Sequence, residues 1–227
     1  VSEALPPTAT QSRGIVAAYL VRGPGTVLVD AGQPGQEARL ARALDRHGVR
    51  PGELGAIVVT HVHADHVGSA RALADRFGAP LLGPQGGASQ ARSGRNAPGR
   101  FTSPVLRLAQ RLGLPEGRFA PFEPDELLRD GERLDRVGLA ATVVATPGHT
   151  DHDLSLLLDD GSLLLGDLLG GHLLRADRHA SRFLPMYCAN ATVDANPRID
   201  TISTASNSSS VSSATVSRMT SPPSCSA

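Results

Sequence analysis

Three histidines and an aspartate crowd into residues 61–66, in the order His-Val-His-Ala-Asp-His. Imidazole and carboxylate groups together suit zinc or a similar first-row divalent metal. Alternate residues point the same way as a chain leaves a strand, so His61, His63 and Asp65 can converge on one point. His66 then lies to one side, in the first turn of the next helix. This arrangement favours two adjacent ions, which typically lie ~3.5–4 Å apart.

Strands and helices that alternate along the chain position these side chains. The apolar run 56–59 directly before His61 predicts a buried strand. Residues 83–104, rich in Gly, Pro, Ser and Arg, predict a surface excursion that could shape a substrate pocket. The periodicity predicts strands at 15–22, 26–30, 56–60, 139–146, 154–158 and 162–166, and helices at 36–47, 66–77 and 103–112.

Composition excludes several classes of function. The 227 residues suit one sizeable domain, and 22 basic residues balance 22 acidic ones, which argues against a nucleic-acid groove or an anionic membrane surface. We expect a soluble cytoplasmic protein, because no apolar stretch reaches transmembrane length and no signal-peptide core is visible. Cys188 and Cys225 form no metal-spaced pair, and we expect reduced thiols without a role.

Four motifs occur in a recognisable order: Val-Asp-Ala-Gly at 29–32, the cluster at 61–66, Thr-Pro-Gly-His-Thr at 146–150, and Leu-Gly-Asp at 165–167. With these motifs the chain resembles the metallo-β-lactamase-fold hydrolases, from about residue 14 to about residue 190. The resemblance implies an α/β fold, an αββα sandwich of two mixed β-sheets flanked by helices. The metal site would lie at one sheet edge.

The resemblance also implies a ligand set and a cofactor. The first ion would be held by His61, His63 and His149. The second would be held by Asp65 and His66, with Asp167 bridging both. The cofactor would be two Zn²⁺ ions, with iron or manganese as alternatives. Asp65 is also the expected catalytic residue, because its carboxylate could orient a metal-bound hydroxide and shuttle its proton.

The other histidines and one aspartate have competing interpretations. Asp30 either supports the site from behind the ligands or fixes the turn before Gly32. His47 lies at a predicted helix end and is interpreted as structural. His152 is expected to pack or hydrogen-bond beneath the metal loop. We expect His172 and His179 to be solvated or locally bonded rather than to face the substrate.

The end of the chain departs from the family pattern. That pattern has a last histidine ligand in Gly-His-Gly, and here no histidine follows His179. We therefore divide the chain into a hydrolase domain at 1–195, incomplete at its C-terminal end, and a serine-rich tail at 196–227 that is disordered or out of frame. All 22 basic residues are arginine, which indicates a GC-rich gene. In such a gene a shifted frame permits an apolar run followed by Gly-His-Gly.

A genuine serine-rich tail or a divergent ending are the alternatives to a frameshift. Without the last ligand, we expect weak or single-metal occupancy. The predicted function is that of a metallo-hydrolase whose metal-bound hydroxide attacks a small ester, thioester, lactone or amide. The alternatives are an iron-dependent oxidoreductase of the sulfur-dioxygenase type on the same scaffold, and a non-catalytic product. The only predicted partner is a small-molecule substrate, with no nucleic acid or membrane, and the oligomeric state stays open.

Overall fold

The computed structural model describes residues 8–11, 17–96, 108, 111, 112 and 117–167. Within these ranges, strands form two sheets. The first sheet contains β1 (Thr8–Gln11), β2 (Ala17–Arg22), β3 (Thr26–Val29), β4 (Ala56–Val58), β5 (Leu81–Pro84) and β6 (Glu126–Leu128). The second sheet contains β7 (Ala141–Ala145), β8 (Leu154–Leu158) and β9 (Leu163–Leu164).

The helices are short, and along the chain they alternate with the strands of the first sheet. They are α1 (Glu37–Arg46), α2 (Ala64–Val67), α3 (Ala70–Phe77) and α4 (Ala88–Ser93), with 3-10 turns at Gln85–Gly87 and Asp135–Val137. In α1 the apolar residues recur at helical spacing, so Leu40, Ala41 and Leu44 lie on one face of the helix and are buried. None of the helices in the described ranges is long and apolar enough to cross a bilayer.

The topology brings several strand ends to one edge. In the first sheet β1, β2 and β3 are antiparallel neighbours, and β3 to β6 run parallel in that order. In the second sheet β7, β8 and β9 are antiparallel. Because β3 and β4 are parallel, their carboxyl ends meet at the same edge of the sheet, and the polar loops that follow them are neighbours.

Both faces of the first sheet are buried. Ile57 of β4 belongs to an apolar cluster with helix residues such as Leu44 and Phe77, whereas Val58 packs in a second cluster with Leu156 of the other sheet. This alternation follows from the two-residue period of a strand. Burying one such aliphatic side chain stabilises the fold by roughly 1.5–3 kcal/mol. The resulting layers of helix, sheet and sheet confirm the predicted α/β sandwich.

One predicted helix is divided in two. The sequence predicts a continuous helix over 66–77, but α2 ends at Val67 and α3 begins at Ala70. Between them, a Cβ on Gly68 would lie 2.2 Å from the backbone nitrogen of Pro34, and the hydroxyl of Ser69 donates to the carbonyl of Gln33 at 2.7 Å. The loop after β3 therefore packs directly against the break.

The predicted surface excursion at 83–104 begins as ordered structure. It contains the end of β5, a 3-10 turn and α4, in which Ala88 and Ala91 are buried. The prediction of a surface loop is therefore wrong for this first part, because two alanines provide an apolar face. Residues 97–104 and most of the helix predicted at 103–112 lie outside the described residues.

Candidate metal centre

The candidate site lies where strands of both sheets end. Asp30 follows β3, and His61 follows β4 after only two intervening residues. His149 follows β7 of the second sheet, and Asp167 follows β9. The two sheets are joined next to these residues, because the backbone nitrogen of Leu154 donates to the carbonyl of Thr60 at 2.9 Å. The scaffold thus aims polar side chains from four loops at one place without opening its core.

Four buried imidazoles pack against one another at this edge. The ring centroid of His61 lies 4.8 Å from that of His63, 4.1 Å from that of His66 and 4.8 Å from that of His149. Nε2 of His149 and Nδ1 of His63 are 2.7 Å apart. All four are buried, at 8% exposure or less. Such a concentration of ring nitrogens is chemically suited to a cation rather than to an apolar core.

Asp167 spans the imidazole cluster. Its Oδ1 lies 3.2 Å from Nε2 of His66, and its Oδ2 lies 3.7 Å from Nε2 of His149. Among the described residues, the side chains form two groups that could each hold a metal ion, and within each group the ligand atoms lie within 4.8 Å of one another. Both groups contain His61. They are His61, His63 and His149, and His61, His66 and Asp167. Asp167 thus contacts one imidazole of each group, and its bridging role stays a prediction.

Asp65 belongs to neither group within the described residues. It lies in the first turn of α2 with a partly exposed side chain, next to the buried His66. Its predicted roles as ligand of the second ion and as proton shuttle stay predictions. It was also not predicted from the sequence that His61 would belong to both groups.

The protonation states favour metal binding. Burial, with the neighbouring imidazoles, holds the pKa of His61 well below its usual value. Burial and His63 likewise lower the pKa of His149 to about 3. Both rings are therefore neutral at neutral pH, as a metal ligand must be. Burial raises the pKa of Asp167, but His66 and His149 outweigh it and lower that pKa to about 2.

His66 behaves differently, because a carboxylate lies on either side of it. Burial by itself would lower its pKa, but Asp30 and Asp167 raise that pKa well above the usual value. In the metal-free protein His66 is therefore protonated at neutral pH. A divalent ion would replace that proton between the same carboxylate and imidazole.

Asp30 holds two of these imidazoles in place. Its buried carboxylate accepts the backbone N–H of Thr60 at 2.8 Å, the Thr60 hydroxyl at 2.9 Å and Nδ1–H of His66 at 2.8 Å. Because the Thr60 hydroxyl has only one proton and donates it to Asp30, it accepts from Nδ1–H of His61, 3.1 Å away. Nε2 of each ring is left for the centre. Of the two interpretations open for Asp30, support of the site is the one that these contacts favour.

The residues fit a metal. Nε2 of His61 is buried and has no hydrogen-bond partner among the described residues. An unpartnered buried polar atom costs free energy, and a bound metal ion would supply its missing partner. The donor set of imidazoles and one carboxylate matches zinc or another first-row divalent ion. Metal binding by this cluster follows from its chemistry, whereas the identity of the metal does not.

A second carboxylate, which was not among the predicted site residues, holds the loop of His149. Asp153 is buried and accepts the backbone N–H of Thr150 at 2.8 Å as well as the Thr150 hydroxyl. Its own carbonyl accepts from Thr146 at 2.9 Å. Burial raises the pKa of Asp153 to about 6. The signal was available, since an aspartate three residues after a threonine often closes a local turn.

The remaining histidines have simpler roles or lie outside the described residues. His47 ends α1, as predicted, and its carbonyl accepts from Arg22. His152 packs against the 3-10 turn at Gln85–Gly87, because a Cβ on Gly86 would lie 2.9 Å from the Cβ of His152. Burial and the nearby His63 lower the pKa of His152 to about 4. The predictions for residues 172 and 179 concern positions that the structure does not describe.

A two-sheet sandwich with a histidine and aspartate cluster at one edge defines a metal-binding protein of the α/β class. The family described as the metallo-beta-lactamase superfamily matches residues 12–207, and the chain belongs to that superfamily. The structure agrees: a solved structure titled Rm3 metallo-beta-lactamase superposes with a TM-score of 0.54 and 26% identity, over 68% of this chain and 56% of that one.

The chain is also similar to other solved structures and curated proteins. A metallo-beta-lactamase of Cronobacter sakazakii superposes with a TM-score of 0.53 at 24% identity, over 65% of this chain and 54% of that one, which shows the fold alone. An uncharacterized protein of Mycobacterium tuberculosis is 36% identical over 138 residues, 58% of this chain and 54% of the relative. Metallo-beta-lactamase domain-containing protein 1 of Xenopus laevis is 33% identical over 153 residues, 66% and 52% of the two chains. The chain thus spans about half the length of these curated relatives.

Proposed function

We propose that the protein is a metal-dependent hydrolase that acts on a small-molecule ester, thioester, lactone or amide. The observation that carries the proposal is the pair of ligand groups that share His61 and are spanned by Asp167. The superfamily consists mostly of hydrolytic metalloenzymes, which supports the reaction class. We propose zinc as the resident ion, with iron or manganese as the alternatives that this donor set also accepts.

The residues divide into those that bind and those that orient. His61, His63 and His149 would hold one ion, and His66 and Asp167 the other, with His61 close to both. When bound, such ions polarise the attacked carbonyl and lower the pKa of a coordinated water toward ~7. Asp30 would keep Nε2 of His66 and, through Thr60, Nε2 of His61 directed at the centre. The partly exposed Asp65 would accept and pass on a proton at the mouth of the site.

The two ions are expected to differ in affinity. The first group offers three imidazoles, whereas the second has His66 and Asp167 besides the shared ring. We therefore expect one ion to remain after dialysis and a second to bind only in excess zinc. This expectation makes metal content the sharpest test of the proposed centre.

The first experiment is elemental analysis of the full chain and of single histidine variants. His61→Ala should retain no ion, His149→Ala should lose the tight ion, and His66→Ala should lose only the weak one. His47→Ala is the matched control, because this histidine lies at the end of α1 and should leave both ions bound. A wild-type protein that binds no divalent metal would refute the proposed function.

The second experiment assigns the reaction. The zinc-loaded, iron-loaded and manganese-loaded chains are assayed against ester, thioester, lactone and β-lactam substrates, and oxygen uptake is measured in parallel. Metal-dependent hydrolysis that is lost in His61→Ala supports the proposal. Oxygen uptake by the iron form without any hydrolysis would instead establish an oxidoreductase, and metal binding without either activity a non-catalytic scaffold.

A further inference from the structure

The turn that carries the metal ligands lacks its own N-terminal cap. His63 occupies the N-cap position of α2, with φ −120° and ψ 148°, but its side chain makes no capping hydrogen bond. Instead, its imidazole contacts His149 in the cluster. A helix start leaves backbone N–H groups without partners inside the helix, and side-chain oxygens usually accept them. A histidine whose ring faces the metal centre cannot serve in this way.

A residue from a distant segment supplies the missing acceptor. Oδ1 of Asn96 accepts the backbone N–H of Ala64, the first residue of α2, at 2.7 Å. The donor here is an N–H, so the carboxamide must present its oxygen to it. The bond joins residues 32 positions apart and ends on the peptide that links His63 to Ala64. That peptide sets ψ of His63 and the start of the turn that carries Asp65 and His66.

Asn96 is itself held firmly. Its backbone nitrogen donates to the carbonyl of Gly117 at 3.0 Å, and Arg95 forms an antiparallel bridge with Arg118. On the other side, Gly94 ends α4 in the left-handed conformation with φ 66°. A Cβ on Gly117 would lie 2.3 Å from Nδ2 and 2.6 Å from Oδ1 of Asn96. The space for the carboxamide therefore exists because residue 117 is glycine.

We propose that Asn96 is a positioning residue of the metal centre, acting through the amide of Ala64 on the turn that carries His63 and His66. The proposal rests on the proposed function in that it requires these histidines to bind a metal. Groups that orient ligands from behind typically account for about 10–100-fold in metal affinity. Asn96 does this from a segment that shares no strand with the ligands, so it also ties the region after α4 to the centre.

Two different substitutions break the same hydrogen bond and test the proposal. Asn96→Leu removes the acceptor and keeps the branched shape of the side chain. Gly117→Ala leaves Asn96 in the sequence but pushes its carboxamide out of place. Asn96→Asp keeps an oxygen in position and serves as the rescuing variant. Gly23→Ala is the control glycine, because its Cβ would meet its nearest neighbour at an ordinary 3.5 Å.

The readout is the dissociation constant for Zn²⁺, measured on the full chain by competition with a chromophoric chelator, alongside the melting temperature of the metal-free protein. We expect Asn96→Leu and Gly117→Ala to bind Zn²⁺ about tenfold more weakly. Asn96→Asp and Gly23→Ala should stay within about threefold of wild type.

A merely structural cap gives a different result. In that case Asn96→Leu would melt earlier but bind Zn²⁺ as tightly as wild type, which would overturn the proposal. Should Asn96→Leu not fold, the affinity of Gly117→Ala decides in the same way. A wild-type chain that takes up no metal would overturn the proposed function together with this inference, whereas unchanged affinity in the variants overturns this inference alone.

Discussion

Replacing Asp30 separates the stability of the fold from the affinity for metal. The carboxylate is 1% exposed and accepts Thr60 N–H, the Thr60 hydroxyl and His66 Nδ1–H. Asp30→Ala removes all three hydrogen bonds at once. Asp30→Asn keeps the shape of the side chain and one acceptor oxygen. The two variants therefore disturb the same contacts to different extents.

The expected cost follows from counting the buried donors that are left. In Asp30→Ala the hydroxyl of Thr60 can rotate, but Thr60 N–H and His66 Nδ1–H lose their acceptor. Each unsatisfied buried donor costs about 1–3 kcal/mol, so the variant should lose about 2–6 kcal/mol of unfolding free energy. Alanine also inherits the left-handed backbone at φ 60° and relieves no strain. Because whole domains are stable by only about 5–15 kcal/mol, this loss is large.

Asp30→Asn should instead act on the tautomer of His66. Its oxygen can still accept from Thr60, but its NH₂ group then faces Nδ1 of His66, which must become an acceptor. His66 therefore loses its Nδ1 proton, and the proton that remains is held on Nε2, the atom that lies 3.2 Å from Asp167. We expect a stability loss of only about 1–2 kcal/mol. The affinity for the second ion should fall by about 10–100-fold.

Urea unfolding of the metal-free chain measures the first quantity, and calorimetric titration with Zn²⁺ measures the second. Asp45→Asn is the matched control, because this aspartate is exposed on α1 and its nearest ion-pair contact is 4.0 Å long. If Asp30→Asn bound the second ion as tightly as wild type, the tautomer reasoning would be refuted. A loss below about 1 kcal/mol in Asp30→Ala would refute the count of unsatisfied donors.

Two further substitutions probe the loops that flank the centre. Asp153 has a folded-state pKa of about 6 against a usual 3.8, so its ionisation costs stability as pH rises from about 4 to 6 and remains costly above that range. Asp153→Asn should therefore gain about 2–3 kcal/mol near pH 8 and little near pH 4, by urea unfolding of the metal-free chain. Gly166→Ala should destabilise the chain, because its Cβ would lie 2.7 Å from the Thr60 hydroxyl and its φ is 55°. Its melting temperature should fall further than that of Gly131→Ala, which shares the left-handed backbone at φ 76° but has nothing within 4 Å.

These two predictions have clear contrary outcomes. An equal stability change for Asp153→Asn at both pH values would show that the ionised carboxylate is not the source of the cost. Equal losses for Gly166→Ala and Gly131→Ala would assign the whole effect to backbone conformation. The contact with Thr60 would then have no measurable role.

The ligand-bearing loops could be predicted because local sequence determines them. Each motif follows an apolar run, and a strand that ends in polar residues places them at a sheet edge. The split between α2 and α3 could not be predicted from the local sequence. It depends on a contact between Gly68 and Pro34, which lies in the loop between β3 and α1. Strand β6 was missed for a similar reason: Glu126–Leu128 is three residues long and pairs with β5, some forty residues earlier.

The supporting residues were harder to predict than the ligands. Nothing in the neighbouring sequence distinguishes Thr60 or Asn96. Thr60 lies at the end of a predicted strand, and Asn96 lies in a Gly- and Arg-rich stretch. Their importance lies in hydrogen bonds to Asp30 and Ala64, which span 30 and 32 residues. Spacing within a motif reports which side chains can converge. It carries no information about which distant side chain orients them.

Thr60 uses nearly every polar atom it has. Its N–H and hydroxyl bind Asp30, its oxygen faces His61, and its carbonyl receives Leu154 from the other sheet. If ions bind as proposed, Thr60 belongs both to the seam, the hydrogen-bonded contact between the two sheets at Leu154, and to the hydrogen bonds that orient the metal ligands. Metal supply would then govern how long a chain survives in the cell: a molecule without its ion exposes a weaker seam to proteases, so abundance would follow zinc availability.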